Sequence, residues 1–302
     1  MNGAFEAKFR DPSLVDFGRS PAAGHEGEGR RLECLGGVLV DRPLVQSGLP
    51  PRGTPTAWSG SAATFHRDGR SAGRWELSTS LPEPWQVRVP LDSESTGRGI
   101  MLEVRPAPSG QVGIFLEQIP QWQWLFRATP PAARILSLFA HSGAATLALA
   151  AAGAEVVHVD ASRQATAMAR RNAEASGLGT APIRWLCDDA RAVVARELRR
   201  GAVYDGVVLD PPSWGHGPQG RSFAIDRDLV PLLADLASLL EARRQAGPIL
   251  LTCHSPGWHH RRLHETLIEA FGVGGCESGP LACIDAAGRT LPLGHYARHC
   301  QE

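Results

Sequence analysis

The chain has 302 residues, 43% of them hydrophobic, enough to bury a sizeable core in one or two domains. Its 31 basic and 31 acidic residues cancel, which argues against a strong sequence-blind grip on nucleic acid. Lys8 is the only lysine, so Schiff-base, phosphate-loop and lysine general-base chemistry are nearly excluded.

No run of 18 apolar residues suggests a membrane span, and the N-terminus has no signal-peptide core. The six cysteines are scattered without a CxxC pair and read as reduced thiols in a cytosolic protein, with no metal cluster.

Residues 1–30 read as a mobile N-terminal arm, because "SPAAGHEGEGRR" (Ser20 to Arg31) is small, polar and glycine-rich. Residues 31–126 read as a small β-rich domain. Its short runs "LECLGGVLV", "GRWELST", "WQVRVPL" and "IMLEVRP" are punctuated by Gly and Pro and sustain no helical period. "FLEQIPQWQWLFRATPPA" (Phe115 to Ala132) then predicts a short helix and a Pro-broken linker.

Residues 127–302 form the second domain, where strands and helices alternate. "RILSLF" is its first strand, followed by the Ala-rich helix "AATLALAAAG", stopped by Gly153. "AEVVHVD" is the second, followed by a helix capped by Ser162 and ended by Gly177. "PIRWLC", "YDGVVLD" and "PILLTC" are the third to fifth strands, with helices between, and "LACIDAAGRTLPLGHYARH" predicts a terminal hairpin. Repeated βα units with apolar strands give an α/β fold whose parallel sheet is covered on both faces.

Ligands of such sheets sit beyond the carboxyl ends of the strands, so those ends are the segments to read. After the first strand, Gly143 permits close backbone approach, and Ala144 and Ala145 keep it open. A pyrophosphate needs a fuller glycine turn. This one suits a ligand without phosphates that carries adenosine and an amino-acid tail. Asp160, with Ala161 after it, either accepts both hydroxyls of a ribose or caps the next helix. In "CDDA", one of Asp188 and Asp189 can accept from an adenine amine while the other caps a helix, Asp189 being the preferred adenine partner.

"LDPPSWGHGPQG" (Leu209 to Gly220) ends the fourth strand. Its two prolines remove donors and leave carbonyls facing outward, so Asp210 and the Pro211 carbonyl can hold an exocyclic amine. Trp214 can stack on a flat substrate or serve as a lid over the core. S-adenosylmethionine satisfies this whole set. His141 could touch its methionine carboxylate, while His259 and His260 read as solvated neighbours of a helix start; with His254 these histidines show no metal-ligand spacing.

In this ordered set the chain resembles the class I S-adenosylmethionine-dependent methyltransferases, and within them the bacterial 23S ribosomal RNA methyltransferases that modify cytosine C5 or guanine. The resemblance rests on "LSLFAHSGAATLALAAAGAEVVHVDAS", "ARRNAEASGL", "PIRWLCDDA", "YDGVVLDPPSWGHGP" and "ILLTCHS", with "GEGRRLECLGGVLVDRP" and "GIFLEQIPQWQWL" before them. It implies a Rossmann-like seven-stranded methyltransferase sheet and an RNA substrate, ribosomal RNA by kinship. It further implies cofactor contacts from Glu117, Gln118, the Phe139–Gly143 turn including Ser142, Asp160 and Asp189, with Asp210, Pro211 and Pro212 facing the methyl group.

Two departures stand out. Relatives that make 5-methylcytosine carry a nucleophilic cysteine just after the fifth strand, where this chain has Ser255. Cys253 lies two residues earlier and reads as a buried apolar thiol. No segment of this sequence reads as the additional RNA-binding domain that some relatives carry. Three rival readings remain: a methyltransferase of a protein or small molecule, a nicotinamide-dependent oxidoreductase, and a non-catalytic binding module.

Overall fold

The computed structural model describes residues 12–20, 27–44, 48–53, 55–68, 73–92, 97–216, 222–240 and 246–300. The chain divides into two compact units, each discontinuous in sequence. Unit 1 takes residues 1–89, 101–116 and 282–292, and unit 2 takes 90–100, 117–281 and 293–302. The expected contiguous boundaries, 31–126 and 127–302, differ from this division.

In unit 1, β1 (Ser13–Arg19), β2 (Gly29–Leu35), β3 (Val38–Pro43), β4 (Ala63–Arg67) and β5 (Gly73–Leu77) form one sheet in that order, with the short helix α1 (Pro55–Trp58) between β3 and β4. All neighbours are antiparallel except β3 and β4. The mobile-arm reading is therefore corrected for Ser13–Arg19, which pairs with β2; residues 1–11 and 21–26 lie outside the described residues.

The reason is a buried charge network that hydropathy cannot signal. Asp16 is fully buried and accepts from Trp58 Nε1 at 2.8 Å, from the Gly53 amide at 3.1 Å and from Arg289. Arg30, also fully buried, donates to Asp41 at 2.6 Å and to the Phe65 carbonyl at 2.9 Å. Each charge is paired, as burial requires. Strands β6 (Gln86–Pro90) and β7 (Gly99–Glu103) form a separate two-stranded ribbon.

A 3-10 turn, Leu116–Gln118, leads into α2 (Ile119–Ala128) of unit 2. Alternation then follows as the sequence predicts: β8 (Arg134–Leu138), α3 (Ala144–Ala151), β9 (Glu155–Asp160), α4 (Arg163–Ala175), β10 (Ile183–Cys187), α5 (Ala190–Arg199) and β11 (Gly206–Leu209). A small hairpin, β12 (Trp214–His216) with β13 (Ser222–Ala224), precedes α6 (Ile225–Leu240). Next come β14 (Ile249–Cys253), α7 (His260–Phe271) and the terminal strands β15 (Glu277–Ile284) and β16 (Thr290–His299).

The seven-stranded sheet has the order β10-β9-β8-β11-β14-β16-β15. The first five strands are mutually parallel, and β16 runs antiparallel to β14. Every residue of β11 and β14 is buried, as helices on both faces demand, whereas the edge strand β10 is largely half-exposed. Leu136, Val207, Leu233, Leu251 and Trp258 belong to one apolar core. Each such side chain contributes about 1.5–3 kcal/mol on leaving water. Sequence order reverses between β8 and β11, which opens a crevice above the strand ends. No helix among the described residues is long and apolar enough to cross a membrane.

Candidate cofactor and acceptor site

The loop from β8 to α3 is wound tightly. Phe139, His141 and Gly143 have φ values of 54°, 45° and 84°, so every second residue lies in the left-handed region. For Phe139 and His141 this is a strained conformation, costing about 1–3 kcal/mol each, that surrounding contacts must hold. Those contacts are visible. The His141 amide donates to Asp160 Oδ2 at 2.8 Å, and Asn172 on α4 donates to the Ser142 carbonyl at 2.9 Å. The Phe139 ring packs on Phe223, with centroids 5.0 Å apart. A Cβ on Gly143 would lie 2.8 Å from the Ala169 Cβ, so glycine is required for space as well as for backbone angle.

Asp160 uses one lone pair on each oxygen for backbone: Oδ2 for His141, and Oδ1 for the Ser162 amide at 2.8 Å. The cap of α4 is Ser162, which accepts from the Ala165 amide, so the helix-cap alternative for Asp160 is corrected. A carboxylate has about four acceptor positions, and two remain for a ligand. Ala161 beside it is exposed.

At the next strand end, Asp189 caps α5, accepting from the Arg191 and Ala192 amides and from the Arg191 side chain at 2.8 Å. Burial opposes ionisation there, but Arg191 outweighs it and holds the carboxyl below its ordinary value. Asp188 pairs with Arg196 at 2.7 Å. The capping member of the pair is thus the residue preferred from sequence as the adenine partner.

A second group surrounds the end of β11. Gln118 Nε2 lies 3.2 Å from Asp210 Oδ2, 3.1 Å from Thr252 Oγ1 and 3.4 Å from His254 Nε2. Glu117 Oε2 and Asp210 Oδ1 are buried without a hydrogen-bond partner among the described residues. Such oxygens are costly unless a donor arrives. His254 Nδ1 lies 2.9 Å from the Leu293 carbonyl and 3.9 Å from Glu117, and its Nε2 lies 3.8 Å from Asp210. Pro211 is buried and Pro212 exposed; Trp214, two residues on, is 55% exposed. Burial holds the His141 imidazole below its ordinary value, so it stays neutral near pH 7.

Glu117, Asp160 and Asp210 make these strand ends acidic, while Asp188 and Asp189 are compensated by Arg196 and Arg191. A ligand offering hydroxyl, amine and cationic groups fits, and S-adenosylmethionine carries ribose hydroxyls, an ammonium and a sulfonium. The Glu117 and Asp210 oxygens without a partner are of the kind such a ligand's donors satisfy.

The sequence profile of the S-adenosylmethionine-dependent methyltransferases matches residues 77–271. The chain belongs to that family. Among solved structures, the SAM-dependent methyltransferase from Agrobacterium tumefaciens superposes with a TM-score of 0.85 at 32% identity, over 97% of this chain and 91% of that one. Among curated proteins, ribosomal RNA large subunit methyltransferase I of Aeromonas salmonicida is 32% identical over 126 residues, 41% of this chain and 31% of that protein. A 23S rRNA uracil-C5 methyltransferase of Alkalilimnicola ehrlichii is 32% identical over 126 residues, 28% of its length. The chain therefore aligns with less than a third of the length of each of these two curated relatives.

Cys253 is the last residue of β14, fully buried, with burial pushing its thiol up. Its sulfur accepts from the Ser255 amide at 3.3 Å. Ser255 itself is hydrogen-bonded to Ser213, Oγ to Oγ, at 2.7 Å. Residues that the sequence reading passed over include Asn172, Thr252 and the Ser213–Ser255 pair. One signal was available: Asn172 is a lone amide on the apolar stripe Ala165, Met168, Ala169, Ala173 of α4.

Proposed function

We propose that this chain transfers a methyl group from S-adenosylmethionine to a nucleobase of RNA, of the ribosomal class. The anionic, glycine-wound cleft at the ends of β8, β9 and β11 carries the cofactor half of this reading. Glu117 would receive the ammonium, Asp160 the ribose hydroxyls and Asp188 or Asp189 the adenine amine. Asp210 and the Pro211 carbonyl would meet the acceptor. When bound, S-adenosylmethionine supplies an already activated methyl, so the chain's own contribution is chiefly proximity and alignment. The exposed Trp214 ring beside Asp210-Pro211-Pro212 supports a flat acceptor that stacks. Kinship with the two ribosomal RNA enzymes supports RNA.

The deciding experiment measures transfer of labelled methyl to ribosomal RNA purified from a strain lacking the protein. Digestion and mass spectrometry then locate the product. Label appearing only on protein or on small molecules would sink the RNA reading. The neutral net charge gives that second reading its one specific support.

A further inference from the structure

We infer that His254 is the proton acceptor of the transfer, which, with the exocyclic-amine seat proposed at Asp210 and the Pro211 carbonyl, makes the methyl acceptor a nucleophilic nitrogen that sheds a proton. This rests on the methyltransferase reading above. The geometry gives the imidazole a built seat. A carbonyl oxygen can only accept, so the 2.9 Å contact to Leu293 puts the ring proton on Nδ1. Neutral His254 therefore presents an unprotonated Nε2, 3.4 Å from the Gln118 amide and on the same side as Asp210. Gly294 on β16 makes the seat possible, because a Cβ there would lie 2.9 Å from His254 Nδ1.

The alternatives nearby are poorer. Cys253 is buried within the strand, and Ser255 is committed to Ser213, so no covalent adduct to a ring carbon is available from either. Carboxylates are ordinarily weak bases, whereas an imidazole is matched to neutral pH. Asp210 at 3.8 Å and Glu117 at 3.9 Å would stabilise the imidazolium that forms, while the His295 imidazole on β16 opposes it, and His259 and His260 at the start of α7 act on His295 in the same sense. The step balances as follows. The nitrogen lone pair forms the bond to the methyl carbon, the carbon–sulfur bond breaks with its electrons kept on sulfur, and the nitrogen's proton passes to Nε2. The ring is one-third exposed, so that proton can then leave to solvent.

Two measurements test this. In 15N-histidine NMR of the S-adenosylhomocysteine complex, the signal missing from His254→Gln should show neutral imidazole with its proton on Nδ1. A proton on Nε2 overturns the proposal. With an in vitro large-subunit ribosomal RNA transcript and labelled donor, wild-type kcat should rise with pH through the imidazole range to a plateau. His254→Gln should lose that limb and fall about 100-fold at the plateau, typical of a missing general base, with Kd for S-adenosylhomocysteine within twofold of wild type. An unchanged kcat or pH profile also overturns it. If the transcript accepts no methyl at all, the RNA reading falls, and the NMR result alone decides the role of His254.

Discussion

At the residue scale, Asp160 does two jobs with one carboxylate. It ties the left-handed turn to the start of α4 through two backbone amides, and its remaining acceptor positions are those proposed above for the ribose. Asp160→Ala should therefore lower affinity for S-adenosylhomocysteine about 10- to 100-fold, as loss of hydrogen bonds to a charged group implies. Calorimetry reads this, and unchanged affinity would refute the ribose contact. Cys253 makes the opposite prediction. Cys253→Ala should keep at least half of the wild-type methyl-transfer rate, because a fully buried thiol with a raised pKa is not the attacking group. A hundredfold loss in a variant that still melts cooperatively would restore the nucleophile.

At the element scale, β9 carries a hidden acid sensor. His158 is fully buried, its Nδ1 3.0 Å from Thr146 Oγ1 and its ring packed on Trp185. Burial, with Arg170 and His141 adding to it, depresses its pKa from 6.5 to about 3. Between those values the unfolded chain binds a proton that the folded one refuses. Stability therefore falls as pH drops below about 6.5, by about 1.4 kcal/mol per pH unit from this group. Urea titrations at pH 7, 5.5 and 4.5 should show that slope, and His158→Asn should flatten it. An unaltered slope would place the acid sensitivity elsewhere.

The elements also explain what the sequence disclosed. β8, β11 and β14 are buried on both faces, and Ser162, Gly153 and Gly177 bound the helices at their ends, so local composition reveals them. β1 escaped because its central Asp16 is buried as a charge, and the three-residue strands β12 and β13 are too short to show a period. The strand-end acids were legible from position alone. The Gln118–Thr252 contact spans 134 residues of sequence, and no local pattern announces a partner that distant.

Across the whole molecule, 31 basic residues against 31 acidic ones leave no net charge to draw in a polyanion. RNA binding should then depend weakly on salt. Anisotropy of a fluorescent ribosomal RNA fragment between about 50 and 200 mM salt should give a slope shallower than about −2 in log K against log salt, the value for roughly three phosphate contacts on a single strand. A steep slope would point to arginines gathered along a track. Shape and stacking, with Trp214 the exposed candidate, would otherwise carry recognition.

The interleaving of the two compact units has a practical corollary for anyone dissecting the protein. Each is assembled from three stretches of chain, and the last excursion, Ala282–Pro292, is the tip of the terminal hairpin. No single scissile point yields two complete halves, and trimming the final thirty-odd positions would strip backbone from both at once. Chimeras that graft a foreign module in place of either unit must therefore restore all of the crossing threads, not one linker.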